Sequence, residues 1–142
     1  MIEIIDEPKV LLGHEDSLRE WLLDCATRYG YRVKSLSYRF LNDLDIRAAN
    51  KTFLNHDYAT DIITFNYTEK RRLEVEMLLG YETITKQASE HKTAVVSEFC
   101  RVMVHGLLHC CGYNDVTDEE RRMIRKQEEI CLDLRPKKLI IS

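Results

Sequence analysis

Several features that would decide the class of this protein at once are missing from its sequence. There is no run of about 18 apolar residues to span a bilayer. The opening MIEIIDEPKV carries acids and a proline where a secretory leader has basic residues followed by an apolar stretch, so the expected location is the cytoplasm. The five cysteines (Cys25, Cys100, Cys110, Cys111 and Cys131) are an odd set without a repeated spacing, which fits reduced, mostly buried thiols better than a disulfide framework. With only two prolines, no internal repeat and no low-complexity stretch, no linker is visible. The 142 residues are therefore expected to form one domain, residues 1–142, large enough to bury roughly two thirds of the surface its unfolded chain exposes.

An excess of positive charge is also absent. The formal net charge of -3 does not announce a nucleic-acid binder, whose affinity rests on Lys and Arg neutralising phosphates. Local basic clusters exist at EKRR (69–72), RRMIRK (121–126) and RPKK (135–138). In RRMIRKQEE the bases alternate with acids at helical spacing, so that stretch reads as a solvated, self-paired helix face.

What is present alternates between two periods. MIEIID alternates apolar and polar residues as a strand does. EDSLREWLLDCATRYG sets Leu18, Trp21, Leu22 and Cys25 at helical spacing and stops at Gly30. YRVKSLSYRF (31–40) alternates again, with Val33, Leu36, Tyr38 and Phe40 as strand residues and a slip of phase near Lys34. A helix follows, capped by Asn42 or Asp43 and carrying Leu44, Ile46, Ala49 and Phe53. The β-branched and aromatic TDIITFNYT (60–68) reads as a strand, and the stretch from about Leu73 to Ile84 as another, broken or bulged at Gly80. Two helices complete the chain: about Lys92 to Cys111, ended by Gly112, and about Asp118 to Leu134, stopped by Pro136 and opened by a Thr117/Glu120 capping box. The expected class is α+β in layers, a mixed sheet of about four strands covered by helices.

The chemistry concentrates in HGLLHCCGYND (105–115). Helical residues four apart lie about 40° apart around the axis and about 6 Å apart along it, so His105 and His109 face one ion from the same side. Gly112 turns the chain back, and Asp115 stands where a loop could return a third ligand; equally, it suits the cap of the next helix. Two imidazoles and one carboxylate leave a coordination position open, the arrangement of a catalytic zinc. Cys110 and Cys111 point about 100° and 200° off the ligand face, outside ligand reach, and read as core. A zinc peptidase of the H-E-x-x-H kind carries its general base after the first histidine, where this chain has Gly106.

These residues resemble the H-G-x-L-H-x-x-G-Y-x-H signature of the YbeY endoribonucleases. Upstream, NKTFLNHDYATDIITF (50–65) is similar to the family's N-x-x-Y-R-x-x-D-x-x-T-D-V-L-S-F segment, and TDEERRMIRKQEEI (117–130) is similar to its acidic last helix. Three positions depart from the pattern. The third histidine falls on Asp115, the upstream arginine falls on Leu54, and the acid of the family's L-G-D-I strand falls on Tyr81, with Glu82 one place later. Asp61 matches the family's Thr-Asp pair and is expected either to touch substrate or, the preferred reading, to order a turn through backbone N–H groups. His56 is read either as a substrate contact or as a surface histidine.

The resemblance implies a zinc-dependent endoribonuclease of single-stranded RNA, acting in ribosomal RNA maturation and ribosome quality control, with the ribosome or its associated proteins as partners. One Zn2+ per chain would be held by His105, His109 and Asp115, which would act in catalysis through a bound water. The alternatives are a zinc peptidase or other metallohydrolase, and a non-catalytic ribosome-assembly factor with a structural metal.

Overall fold

The computed structural model describes residues 1–140 and contains four strands: β1 (Ile2–Ile5), β2 (Arg32–Leu41), β3 (Ile62–Asn66) and β4 (Arg72–Gly80). Its helices are α1 (Glu15–Arg28), α2 (Asp43–Leu54), α3 (Tyr81–His91), α4 (Val95–Cys110), α5 (Asp118–Asp133) and the short α6 (Lys137–Ile140). The strands form one sheet in the order β1-β2-β4-β3. β1 and β4 run parallel to β2, and β3 runs antiparallel to β4. The architecture is the expected α+β mixed sheet.

Register decides which face is buried. Leu36, Tyr38 and Phe40 of β2 lie opposite Val75, Met77 and Leu79 of β4, and all six are buried. A period of two then sends Ser37, Arg39, Glu74 and Glu76 to the other face. Helix α4 covers the apolar face, where the buried Tyr38 hydroxyl donates to the carbonyl of Met103 at 3.0 Å. Helix α1 joins the same core through Leu18, Trp21, Leu22 and Cys25, and the Trp21 indole donates to the Cys131 carbonyl of α5 at 2.8 Å. The slip of phase at Lys34 is real: the β2–β4 register shifts between Val33 and Ser35. The capping box on α5 is also formed, with Thr117 Oγ1 accepting from Glu120 N–H and Glu120 accepting from Thr117 N–H. Asn42 caps α2 by accepting from Asp45 N–H at 2.8 Å.

Two expectations are corrected, the end of the strand that starts at Leu73 and the start of the helix that ends at Cys111. The strand does not continue to Ile84. It ends at Gly80, and Tyr81–His91 is helix α3, whose Ile84 and Ala88 are buried four residues apart. The β-branched run Thr83–Thr85 imitates a strand, but one buried stripe against α4 and a tie to α2 outweigh that propensity. That tie runs from Asp43 N–H to Glu82 at 2.8 Å. The following helix accordingly begins at Val95, because Lys92 closes α3 in the left-handed region (φ 55°). On α2, Leu44 and Phe53 are exposed, while Ile46 and Asn50 are the buried positions. Asn50 is buried because its side-chain amide donates to the Tyr58 carbonyl at 3.0 Å, fixing the loop that precedes β3.

Gly80 is required by close approach. A Cβ there would stand 2.3 Å from the carbonyl oxygen of Thr60, while the Gly80 N–H donates to the Asp61 carbonyl at 2.9 Å. The β3 entrance therefore lies tight against the β4 exit, and both lie beside α4. No helix among the described residues is long and apolar enough to cross a membrane.

Candidate metal centre

Helix α4 carries a polar stripe along an otherwise buried rod. Glu98, Arg101, His105 and His109 recur at steps of three, four and four residues, which is one face of a helix. The rest of α4 is anchored in the core by Phe99, Val102, Met103, Val104, Leu107 and Leu108, so the stripe is held rigidly. Gly106 packs against the sheet, where a Cβ would come within 2.7 Å of both Ile62 Cδ1 and Met77 Sδ. A side chain at the peptidase position would point at these side-chain ends of the sheet.

The two imidazoles meet edge to face, with centroids 4.7 Å apart. Gly112, at φ 100°, turns the chain after α4, and the loop brings Asp115 back to them. Asp115 Oδ2 lies 3.5 Å from His105 Nε2 and 3.4 Å from His109 Nε2. One ligating atom from each of the three residues lies within 4.8 Å of the others. Tetrahedral zinc with bonds of about 2.0–2.1 Å to nitrogen and oxygen places its ligand atoms roughly 3.3 Å apart. The carboxylate-to-imidazole separations fit that spacing, and the donor set of two nitrogens and one oxygen suits a borderline-soft divalent ion. Asp115 thus joins the histidine pair, while Thr117 caps the next helix. All three side chains are partly exposed, so the site is open to solvent.

Behind His105 stands a residue that the sequence reading missed. Glu128 of α5, only 4% exposed, places Oε2 at 2.6 Å from His105 Nδ1. With Nδ1–H donating to this carboxylate, the Nε2 lone pair is presented to the ion site. Glu128 also lies 3.6 Å from Arg101, which pairs with the buried Glu98; His91 and Thr93 bind Glu98 as well. A continuous charge network therefore runs from Asp115 to His91. The available signal was positional: Glu128 sits between Ile124 and Cys131 on the buried stripe of α5, where an acid needs a partner.

Electrostatics follow from this network. Burial disfavours the His105 imidazolium, but the Glu128 hydrogen bond and the charges of Glu128, Asp115 and Asp61 outweigh it and raise its pKa above the usual 6.5. Burial likewise opposes ionisation of Glu98, yet Arg101 and His91 hold its carboxyl below the usual range. Burial pushes the Cys110 and Cys111 thiols up to about 12, so neither offers a thiolate near neutrality, and both lie outside the ligand group. Asp61 does not order a turn as expected. Its carboxylate makes no hydrogen bond among the described residues, and its charge bears on His105 and Arg101. His56 is an exposed side chain stacked on Tyr58 (centroids 5.4 Å), outside the ligand group. Leu54, at the position of the family arginine, is half exposed at the end of α2.

Fold and site together define a class: an α+β protein whose helix-borne histidine pair and loop carboxylate form a group able to hold a metal ion. Comparison with known proteins then makes this particular. Residues 6–135 match the family described as Endoribonuclease YbeY, and the chain belongs to that family, whose members are hydrolases acting on RNA phosphodiester bonds. It is 38% identical over 116 residues to the Endoribonuclease YbeY of Bacteroides thetaiotaomicron, covering 82% of this chain and 85% of that protein. To the Endoribonuclease YbeY of Cytophaga hutchinsonii it is 35% identical over 131 residues, 92% of each chain. The fold is similar to the solution structure of TM1509 from Thermotoga maritima, with a TM-score of 0.68 at 21% identity over 94% of this chain and 88% of that one.

Proposed function

We propose that this chain, acting as one domain, is a zinc-dependent endoribonuclease that cuts single-stranded RNA in ribosomal RNA maturation and ribosome quality control, on or near the ribosome. The observation that carries this reading is the convergence of His105, His109 and Asp115 on one point at an open surface of a YbeY-family chain. Five free cysteines suit a reducing compartment, which supports the cytoplasm as its location.

In this reading His105 and His109 hold Zn2+ through Nε2 and Asp115 through a carboxylate oxygen. When bound, the ion supplies a Lewis acid for the phosphoryl oxygen and lowers the pKa of a coordinated water toward about 7. The protein's part is to fix geometry. Glu128 locks the His105 ring by accepting its Nδ1–H, and Arg121 donates to the carbonyls of Asp115 (3.3 Å) and Val116 (2.6 Å), holding the ligand loop. Asp115 in place of a third histidine adds a negative charge, which tempers the ion's electrophilicity. Cationic side chains beside the site must therefore carry more of the charge that develops on phosphorus.

The test combines elemental analysis with cleavage of a single-stranded RNA by the purified chain. The expected result is one zinc per chain and cleavage, with His109→Ala losing both while remaining folded. Stoichiometric metal with no cleavage, together with a collapse of thermal stability in His109→Ala, would support the structural-metal reading instead.

A further inference from the structure

The groove between α4 and α5 continues away from the candidate metal centre, and its cations are not equivalent. A cavity of about 150 Å³ is lined by His105 and Asp115 on one side and by Arg101, Arg121 and Arg125 on the others. A second cavity of about 410 Å³ shares Arg101, Arg125 and Glu128 with the first and extends to His91 and Glu98. The two form one trough that starts at the ligand residues.

Arg101 is committed to Glu98 and Glu128. Arg121 is committed to the Asp115 and Val116 carbonyls and to Asp118. Arg125, one helical turn after Arg121 and lining both cavities, has no hydrogen bond or ion pair among the described residues. The self-paired face expected of RRMIRKQEE does not form: Arg122, Arg125 and Lys126 all lack a hydrogen bond or ion pair among the described residues, and of these three only Arg125 lines the trough. An exposed guanidinium without a partner breaks no ion pair when it turns to a ligand, and its planar fork matches two oxygens of a phosphate.

We propose that Arg125 is the phosphate-binding residue of the substrate trough, gripping a backbone phosphate of the RNA next to the one at the metal centre. This rests on the endoribonuclease reading above. Arg121 is a positioning residue, since it acts on substrate only through the Asp115 loop. With one strand laid along α5, the Arg125 contact would add affinity without base preference, because every nucleotide offers the same phosphate.

The test measures binding of a fluorescein-labelled single-stranded RNA by anisotropy across a salt series, beside steady-state cleavage. Arg125→Ala is expected to weaken binding about tenfold at low salt and to reduce the slope of log affinity against log salt by about 0.7, the value of one phosphate on a single strand. KM should rise more than kcat falls, zinc content and thermal midpoint should stay at the parent values, and Arg125→Lys should restore the salt slope but only part of the affinity, since an ammonium lacks the two-pronged fork. Arg39→Ala, which removes a paired arginine on β2, controls for loss of one charge. Parent-like binding and salt slope in Arg125→Ala, in a chain that cuts RNA, overturn this inference alone. A parent chain that neither binds nor cuts RNA overturns the functional reading and this inference with it.

Discussion

Glu128 is a buried acid whose neighbours explain every part of its environment. Its Oε2 accepts the Nδ1 hydrogen of His105 and its Oε1 faces Arg101, so removing the charge disturbs both the imidazole and the network behind it. Carboxylates that orient a metal-ligating histidine are worth about 10- to 100-fold in metal affinity. Glu128→Gln keeps the shape and is expected to weaken zinc binding within that range, read by competition with a chromophoric chelator. Unchanged affinity would mean that His105 is positioned by helix packing alone. The histidines themselves were legible in the sequence because i, i+4 spacing is a property of one helix. Glu128 was not, because its partner lies 23 residues away and the contact depends on how α5 docks on α4.

The elements place the centre, and α3 shows where local patterns mislead. YETITKQASEH has the β-branched content of a strand, yet Gly80 ends β4 against the Thr60 carbonyl and the chain turns into a helix that packs on α4. This junction also sets the entrance of β3, whose Ile62 lies against Gly106 directly beside His105. Gly80→Ala forces a methyl group into a backbone oxygen that has no room to retreat. It is expected to destabilise the fold by about 1–3 kcal/mol, seen as a lower midpoint in urea with an unchanged m-value. A neutral result would show that the β3–β4 junction is looser than its 2.3 Å approach indicates. Gly106 differs, because the atoms facing it are the ends of flexible side chains that can move aside.

At the scale of the whole molecule, the metal and the fold should be coupled. An ion that binds only the folded chain stabilises it by about 2.7 kcal/mol at a hundredfold excess over Kd, which for a chain of this size raises Tm by about 8 °C. Chelation should remove that gain in a thermal scan at pH 7.5; a shift below about 2 °C would remove the metal centre from the account. The pH dependence has two opposite limbs. Without metal, the raised pKa of His105 contributes stability that is full below the unfolded value of 6.5 and is lost as pH rises through the folded pKa. With metal, the proton must leave His105 before the ion binds, so the zinc-dependent gain grows over that same rise in pH.

The sequence by itself determined the α+β class, the capped ends of α2 and α5, the slip of phase in β2 and the placing of His105 and His109 on one helix face. All of these follow from periodicity, capping and spacing within one element, where covalent connectivity fixes the geometry. Tertiary structure decided what depends on distance across the chain: that α3 is a helix, that Asp115 turns to the histidines while Thr117 caps α5, that Glu128 backs His105, and that Arg125 alone among the trough's three arginines is left without a partner. Each of these is a choice between two locally acceptable partners. Burial on a packed face, which no short window of sequence contains, makes that choice.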